Sequence, residues 1–539
     1  MRPSGERTGA KALVEALERA GVEVVFGYPG GNVLDIFDAA RTATFRFVLG
    51  RHEQGSTHMA DGYARASGRP GVVLVTSGPG LTNTITGLGC ANMDGVPLVL
   101  VCGQVPLSQI GTDAFQEADT TGLTRAVSKH NFLVKSADEI PETVAQAFYI
   151  ATHGKPGVVV IDVPRDCQQA LTAATYPERV SLRAYHPEVY ATPREVSRLA
   201  KMLNEAKRPL ILAGGGVIAA EASGDVAALA HKAGIPVATT MMGIGAIDER
   251  DPLALGMSGM YGTAEANRAL READLVLALG VRFNDRTTGE VATFARQAKI
   301  VHVDCDPSSI DKNVTVHLGI VADVKDLLTV VNSRVLPATH ASWCASFARC
   351  ARALKKAARG TVDPASVVAA FSDGATDETL VVTDVGQHQL LVARDYRHVR
   401  PRHFLTSGGM GAMGFGIPAA IGAAIARPNA RVIAFLGDGG AQMTFEELIV
   451  AAELNLSVTF VIFVNHALGL VRQMQKESFG ARYFATDLPV PDFVKMAEAC
   501  GVKGVRVSDE TSLGAAVRRA RRAKGPLLLE VAISKNACV

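Results

Sequence analysis

Short apolar runs alternate with helix-length segments in each third of the chain, and this rhythm is the strongest constraint on the fold. The runs lie at 22–26, 72–76, 97–102, 157–162, 209–213, 236–240, 274–280, 299–304, 380–384, 431–437, 457–464 and 526–532. Strands that are apolar on both faces and separated by helices are typical of parallel sheets covered on both sides. The sequence therefore predicts an α/β fold of three doubly wound parallel-sheet domains.

Two stretches interrupt the rhythm and act as predicted linkers. Residues 166–194 contain three prolines and three tyrosines without clear periodicity. Residues 332–364 pass through a predicted basic helix at 342–358. A chain of 539 residues also exceeds the usual single-domain length of about 100–200 residues. We therefore expect three domains, at 1–165, 190–335 and 360–539.

Composition argues against several kinds of partner. The 55 Lys and Arg residues nearly balance the 53 Asp and Glu residues, which gives no sign of a polyanionic partner. The basic run at 517–524 has no interleaved aromatics, so it predicts a solvated helix face rather than a nucleic-acid site. We expect no membrane span and no secretory signal, and the eight scattered cysteines indicate reduced thiols. These features together predict a cytoplasmic protein.

A Gly-Asp-Gly turn lies between two apolar runs of the last third. Asp438 follows the run at 431–437, and Asn465 follows the run at 457–464. Because parallel strands end at one edge of a sheet, we expect the two side chains to meet there. Their oxygens suit a hard divalent cation, and the adjoining glycines suit phosphate. Alone the turn would be ordinary, but the whole pattern resembles the thiamine diphosphate motif, although Val464 replaces the first of its two usual asparagines.

A second motif lies in the first third. Residues 48–55 place Glu53 immediately after a predicted strand, where a carboxylate is usually only a surface residue. The segment resembles the R-H-E-Q motif of thiamine enzymes, and 61–83 resembles their pyrimidine-binding half. In that family the glutamate contacts N1′ of the aminopyrimidine and promotes loss of the C2 proton, while the cofactor supplies the electron sink. The resemblance also makes Met413 the apolar support of the folded cofactor.

Other segments resemble the catalytic subunits of the acetohydroxyacid synthase (acetolactate synthase) family over nearly the whole chain. The most specific are GTDAFQE at 111–117 and VGQHQ at 385–389. The resemblance implies a transferase that uses thiamine diphosphate and Mg²⁺. It would decarboxylate pyruvate and join the two-carbon unit to a second 2-keto acid, either pyruvate or 2-ketobutyrate. The product with pyruvate would be 2-acetolactate, an intermediate of branched-chain amino acid biosynthesis.

The resemblance assigns roles residue by residue. Donors to substrate oxygen and channel residues would be Gly31, Gln116, Phe115 and Lys129. Residues near the substrate would also include Arg286, Arg472 and Met474. The cofactor would contact Tyr28, Pro29, Thr76, Pro79, Asn83, Gly386, Gln387, His388, Gly411, Met413, Gly437, Asp438, Gly439, Gly440, Asn465, Ala467, Leu468 and Gly469. The metal ligands would be Asp438, Asn465 and Ala467.

The middle third resembles the flavin-binding form of this family through the run at 280–286. FAD would have a structural role, because the carboligation is redox-neutral. Its contacts would be Gly214, Gly215, Gly216, Thr240, Met241, Met242, Gly280, Arg282, Asp285, Arg286, Asp304 and Asp323. Two residues depart from the family pattern: Tyr261 replaces a histidine and Met474 replaces a tryptophan. We expect Met474 to weaken the preference for 2-ketobutyrate as acceptor.

Other functions share parts of this pattern. An FAD-dependent pyruvate oxidase, or another thiamine diphosphate-dependent decarboxylase, would have the same fold, but GTDAFQE at 111–117 argues against the oxidase. A non-catalytic binding protein would not need Glu53, Asp438 and Asn465 together. In this family the active site forms between subunits, so we expect a homodimer or homotetramer. The sequence does not decide whether a small regulatory subunit binds.

Overall fold

Three six-stranded parallel sheets, one in each third of the chain, organise the protein. A computed structural model describes residues 6–347 and 360–537. The twelve apolar runs of the sequence all form strands, four in each sheet. None of the helices in this described part of the chain has the length and apolar character needed to cross a membrane.

The first sheet has the strand order β3-β2-β4-β5-β7-β6, while β1 and β8 form a short antiparallel ribbon. The strands are β1 Arg7–Thr8, β2 Val24–Tyr28, β3 Arg46–Leu49, β4 Gly71–Val75, β5 Leu98–Gln104, β6 His130–Leu133, β7 Val158–Pro164 and β8 Leu171–Thr172. The helices are α1 Gly9–Arg19, α2 Leu34–Ala40, α3 Glu53–Ser67, α4 Pro79–Thr82, α5 Ile85–Asp94, α6 Thr120–Thr124, α7 Ile140–Thr152 and α8 Arg165–Gln169. The linker predicted at 166–194 thus contains most of α8 and all of β8 before it becomes irregular.

The middle sheet has the order β11-β10-β9-β12-β13-β14. Its strands are β9 Pro209–Ala213, β10 Val237–Thr239, β11 Ala254–Met257, β12 Leu275–Leu279, β13 Lys299–Asp304 and β14 Leu318–Val321. The helices are α9 Pro193–Glu205, α10 Gly215–Ala219, α11 Ser223–Ala233, α12 Ala264–Glu272, α13 Asp285–Thr288, α14 Val324–Arg334 and α15 Ala341–Ala345. Most of the basic helix predicted at 342–358 lies outside the described residues.

The last sheet has the order β16-β15-β17-β18-β20-β19. Its strands are β15 Leu380–Thr383, β16 Phe404–Thr406, β17 Val432–Gly437, β18 Val458–Val464, β19 Lys503–Val507 and β20 Leu527–Ala532. The helices are α16 Pro364–Ser372, α17 Gln387–Asp395, α18 Gly416–Ala426, α19 Asp438–Ala441, α20 Leu448–Glu453, α21 Gly469–Phe479, α22 Phe493–Ala499 and α23 Glu510–Arg522. Chain order reverses between β15 and β17, which creates the crevice where such sheets bind ligands.

Helices α3 and α18 join the first and last domains. A Cβ on Gly62 would lie 2.2 Å from the Ala419 carbonyl oxygen, and one on Gly422 would lie 1.9 Å from that of Met59. Only glycine permits this approach of the two backbones. Buried apolar side chains of both domains form one continuous core around the helix pair.

Candidate active site

Asp438 and Asn465 both lie at the carboxyl edge of the last sheet, where the Asp438 side chain contacts the Asn465 backbone. One oxygen of the buried Asp438 accepts hydrogen bonds from the backbone N–H groups of Asn465 at 3.0 Å and His466 at 2.8 Å. The amide oxygen of Asn465 accepts from the Ala467 N–H at 3.0 Å. Burial raises the pKa of Asp438, so a bound cation would favour its ionised form. A carboxylate, an amide and a main-chain carbonyl are oxygen ligands suited to Mg²⁺.

These groups line one cavity of about 620 Å³ in the last domain, which we call the C-terminal cavity. Of the predicted cofactor residues of this domain, it is lined by Gly386, Gln387, His388, Met413, Gly437, Asp438, Gly439, Gly440, Asn465, Ala467, Leu468 and Gly469. Gly411 does not line it.

The donors of the C-terminal cavity suit a diphosphate. Burial lowers the pKa of His388 to about 4, so its ring is neutral at pH 7. Its buried Nε2 has no hydrogen-bond partner among the described residues. A Cβ on Gly469 would lie 2.3 Å from Gln387 Oε1, so a larger residue there would displace the Gln387 side chain. An orphaned imidazole nitrogen beside glycine backbone is a site that a phosphate oxygen would satisfy.

Asp384 is a site residue that the sequence reasoning missed. It directly follows β15, and its buried carboxylate accepts from the backbone N–H groups of Gly414 at 3.0 Å and Gly416 at 2.8 Å. A Cβ on Gly440 would lie 2.2 Å from Asp384 Oδ1. Asp384 therefore fixes the loop that carries Met413 against the loop that carries Asp438. The available signal was a carboxylate at a strand end, on the same sheet edge as Asp438.

Glu53 lies in the first domain and is the first residue of α3. The prediction that it immediately follows a strand is wrong, because β3 ends at Leu49 and a turn of three residues intervenes. Asn83 Nδ2 donates to Glu53 Oε2 at 2.9 Å. A Cβ on Gly80 would lie 3.7 Å from Glu53 Oε1. The glutamate is thus oriented by the turn after β4 that contains Pro79.

The other residues predicted for the active site in the first domain lie around the same turn after β4. The backbone N–H of Asn32, next to Gly31, donates to Thr76 Oγ1 at 3.3 Å. A Cβ on Gly78 would lie 2.9 Å from the carbonyl oxygen of Gln116, whose φ is +62°. The strained Gln116 therefore packs directly on this turn. Tyr28 and Pro29 complete the group at the end of β2.

Phe115 and Lys129 lie in different places. Phe115 is 88% exposed on the loop beside Gln116. Lys129 precedes β6 at the opposite, amino edge of the sheet, where its ammonium group donates to the carbonyl oxygens of Ile150, His153 and Lys155 at 2.6–2.7 Å. It therefore caps the end of α7 in the single chain, and the channel role expected for it stays a prediction.

Arg165 is a cation at the carboxyl edge of the first sheet. It directly follows β7, and its Nε lies 3.7 Å from Asp35 Oδ2 on the helix after Gly31. The sequence signal for Arg165 was its position three residues after the apolar run at 157–162.

A second cavity of about 760 Å³ lies at the junction of the three domains, and we call it the junction cavity. Eleven of the twelve predicted FAD residues line it: Gly215, Gly216, Thr240, Met241, Met242, Gly280, Arg282, Asp285, Arg286, Asp304 and Asp323. The twelfth, Gly214, packs beneath, where a Cβ would lie 2.1 Å from the Gly280 carbonyl oxygen. Gly411 and Tyr261 also line this cavity. Glycine backbone, the three carboxylates of this set and its two guanidinium groups in one large cavity fit a dinucleotide.

The three residues predicted near the substrate are dispersed. Arg286 lines the junction cavity, whereas Arg472 pairs with Asp487 at 3.2 Å and lies 3.6 Å from the centre of the Tyr483 ring. Met474 is half-exposed on α21 and lines neither cavity.

The single chain does not unite the predicted catalytic and metal residues. Glu53, Gly31 and Gln116 line neither cavity, whereas Asp438 and Asn465 lie in the C-terminal cavity. The chain therefore presents two separate half-sites: the first half-site around Glu53 in the first domain, and the diphosphate half-site in the C-terminal cavity.

Comparisons with known proteins identify the family. The family models of thiamine pyrophosphate enzymes match residues 7–123 as the N-terminal TPP binding domain, 196–331 as the central domain and 384–531 as the C-terminal TPP binding domain. The acetolactate synthase large subunit of Haemophilus influenzae is 42% identical over 97% of this chain and 93% of its own length. The probable acetolactate synthase large subunit of Methanococcus aeolicus is 41% identical, covering 98% and 93%. Acetolactate synthase 1, chloroplastic, of Nicotiana tabacum is 41% identical, covering 98% and 82%. The chain therefore belongs to the thiamine pyrophosphate enzymes, within the family of acetolactate synthase large subunits.

Proposed function

We propose that the chain decarboxylates pyruvate and joins the resulting two-carbon unit to a second 2-keto acid, with 2-acetolactate as the product from two pyruvates. The observation that carries this proposal is the pair of half-sites on a chain similar to acetolactate synthases over nearly its whole length. Bound thiamine diphosphate would supply a nucleophilic carbon and an electron sink. The chain's own residues would bind it, orient it and move protons.

The C-terminal cavity would hold the diphosphate and Mg²⁺. Asp438, Asn465 and the Ala467 carbonyl are the proposed metal ligands. His388 and the glycine backbone would donate to phosphate oxygens. Met413 lines the same cavity, where an apolar side chain would support the folded cofactor.

The first half-site would perform the proton and oxyanion chemistry. Oε2 of Glu53 accepts a hydrogen bond from Asn83. The other carboxylate oxygen, Oε1, would exchange a proton with the aminopyrimidine of the bound cofactor. The Gln116 amide and the Gly31 backbone N–H would donate to negative charge developing on substrate oxygen. Arg165 adds a cation at the same edge, which would attract 2-keto acid carboxylates.

A second copy of the chain would complete each active site. Glu53 lies outside the cavity that contains Asp438, and Phe115 is almost fully exposed beside Gln116. An exposed aromatic at a half-site favours an interface between subunits. The proposed unit is a homodimer, with a tetramer as its doubled form.

The junction cavity is proposed to bind FAD in a structural role. Its carboxylates would accept from ribose hydroxyls, and Arg282 and Arg286 would face the phosphates. Val385 and Leu470 line both cavities, so the flavin site and the cofactor site adjoin.

Gas balance tests the reaction against its nearest rival, a flavin-dependent pyruvate oxidase. Purified protein is supplied with pyruvate, thiamine diphosphate, Mg²⁺ and FAD in a cell with an oxygen electrode and a CO₂ sensor. We expect one CO₂ for each two pyruvates and no stoichiometric oxygen uptake, with the CO₂ release lost in Glu53→Gln. Oxygen consumed in proportion to CO₂ would establish the oxidase instead.

A further inference from the structure

The Glu447 side chain crosses from the last domain to the turn that precedes Glu53. Its carboxylate accepts from the backbone N–H of Arg51, with both oxygens at 3.0–3.1 Å, and from that of His52 at 3.0 Å. These are the two residues directly before Glu53, at the open end of α3. A carboxylate at a helix N-terminus satisfies backbone donors that the helix itself leaves unpaired.

The Glu447 side chain accepts the hydrogen bonds that join the backbone of this turn to the last domain. Glu447 is 0% exposed, so water does not compete for the N–H groups. A Cβ on Gly55 would lie 1.9 Å from Glu447 Oε1, so only glycine at this position admits the carboxylate. Burying a carboxylate is costly unless it is fully hydrogen-bonded, and here the donors come from the segment that carries Glu53.

The segment that carries Glu447 also contacts the half-site of the C-terminal cavity, through Thr444. Thr444 Oγ1 donates to the Gly414 carbonyl oxygen at 2.9 Å, and the Gly414 N–H donates to Asp384 at 3.0 Å. Asp384 in turn packs under Gly440. A short chain of contacts therefore runs from the loop after Asp438 to the turn before Glu53.

We propose that Glu447 is a positioning residue that holds the first turn of α3 and thereby sets the direction of the Glu53 carboxylate. The inference rests on the proposed function, because it assigns Glu53 its proton-transfer role. Glu447 contacts the Arg51 and His52 backbone and does not act on substrate. Misplacing a proton-transfer group by a fraction of an ångström slows its step without abolishing binding.

The charges around Glu447 make its effect depend on pH. The pKa of Glu447 is raised to about 7, chiefly by burial and also by Glu446, whereas the two N–H groups and the Arg51 guanidinium oppose the rise. Above about pH 7 the ionised carboxylate binds the turn most strongly. Replacing it with an amide removes this titration from the activity profile.

The test measures proton transfer directly on the full-length protein loaded with thiamine diphosphate and Mg²⁺. Acid quench and proton NMR follow exchange of the cofactor's C2 proton for deuterium. We expect Glu447→Gln to slow the exchange at least about tenfold, in the direction of Glu53→Gln, and to lose the pH inflection near 7. Cofactor affinity should stay within about twofold of wild type, since Glu447 lies outside the C-terminal cavity.

Glu453→Gln is the matched control. Glu453 pairs with the Arg51 guanidinium at 2.7 Å on the exposed side of the same turn, without contacting its backbone. Its replacement should leave the exchange rate unchanged, because exposed ion pairs contribute little.

A double-mutant cycle guards against simple loss of folding. Gly55→Ala should slow exchange in the presence of Glu447 and should slow it far less in a Glu447→Ala background, which has room for the methyl group. Three results would overturn the inference. The effects of the two substitutions on the exchange rate could be additive, or Glu447→Gln could exchange at the wild-type rate. Alternatively, the exchange rate could fall only where the affinity for the cofactor falls with it. Acetolactate formation by the wild type would still uphold the proposed function in those cases.

Discussion

The carboxylate of Asp438 accepts a hydrogen bond of 3.0 Å from the backbone N–H of Asn465, although 27 positions separate them. The contact joins the ends of β17 and β18 and places both proposed metal ligands in one cavity. The same oxygen also accepts from His466, whose φ is +56°. Asp438 thus both shapes the loop and offers an oxygen to the cation.

Asp438→Asn should weaken binding of thiamine diphosphate with Mg²⁺ by about 100-fold or more, through loss of the cation's charged ligand. Quenching of protein fluorescence during cofactor titration at fixed Mg²⁺ measures the affinity. Asp487→Asn is the control, because this exposed aspartate pairs with Arg472 and Lys535 outside the cavity. Equal affinities in the wild type and Asp438→Asn would remove Asp438 from the metal site.

Mixed dimers test whether Glu53 acts on the cavity of a second chain. Glu53→Gln and Asp438→Asn should each be inactive alone. If the half-sites combine between subunits, each mixed dimer has one intact site, so unfolding and refolding the two together should restore about a quarter of wild-type activity. No recovery, with mixed dimers verified by mass spectrometry, would place both residues in one subunit's site.

Arg165→Ala should raise the KM for pyruvate severalfold with a smaller change in kcat, because it removes a cation from the carboxyl edge. Steady-state assays at several pyruvate concentrations measure the effect. Lys129→Ala should lower the thermal midpoint instead, since it deprives α7 of its cap, with KM unchanged. The reverse pattern would restore Lys129 to the channel and remove Arg165.

Met474→Trp should shift the acceptor preference towards 2-ketobutyrate, because the wider side chain reshapes the pocket for the second keto acid. Met474 is half-exposed in the single chain, so it is available to a substrate at the completed site. The ratio of acetohydroxybutyrate to acetolactate, with both acceptors present, measures the change. A Met474→Leu control should keep the wild-type ratio. A strong 2-ketobutyrate bias already present in the wild type would contradict this account.

Asp162 should make stability fall as pH rises. Burial raises the pKa of Asp162 to about 7, whereas the unfolded residue titrates near 3.8. Between these values the unfolded chain binds fewer protons than the folded chain, so the free energy of unfolding decreases with pH. Asp162→Asn should flatten this decrease in urea titrations between pH 4 and 8. An unchanged slope would show that Asp162 is ionised in the fold.

The central strands of each sheet were predictable because they are buried on both faces and therefore form continuous apolar runs in the sequence. Edge strands were harder. In β19, the residues Lys503 and Arg506 are exposed, and this breaks the run. The helical segment between β17 and β18 is also interrupted: α19 covers Asp438–Ala441, and α20 begins only at Leu448. Thr444 bonds to the Gly414 carbonyl oxygen at this break, a tertiary contact that local periodicity does not contain.

The active-site residues also divide into those that the strand topology makes predictable and those that depend on tertiary contacts. Asp438 and Asn465 were predictable because the topology of parallel strands brings strand ends together. Asp384 shares that signal at the end of β15, whereas Glu447 was not predictable, since it acts through backbone groups of a distant segment. For Lys129 the structure adds a contact with the end of α7 that the motif does not indicate, while its expected channel role stays a prediction.

Product analysis by proton NMR tests the central claim most directly. The purified protein is incubated in air with pyruvate, thiamine diphosphate, Mg²⁺ and FAD, and the products are identified without derivatisation. Acetolactate as the main product, absent in Glu53→Gln and Asp438→Asn, is the predicted result. Acetate or acetaldehyde in its place would contradict the proposed carboligation, because the two-carbon unit would then have passed to oxygen or a proton instead of a second keto acid.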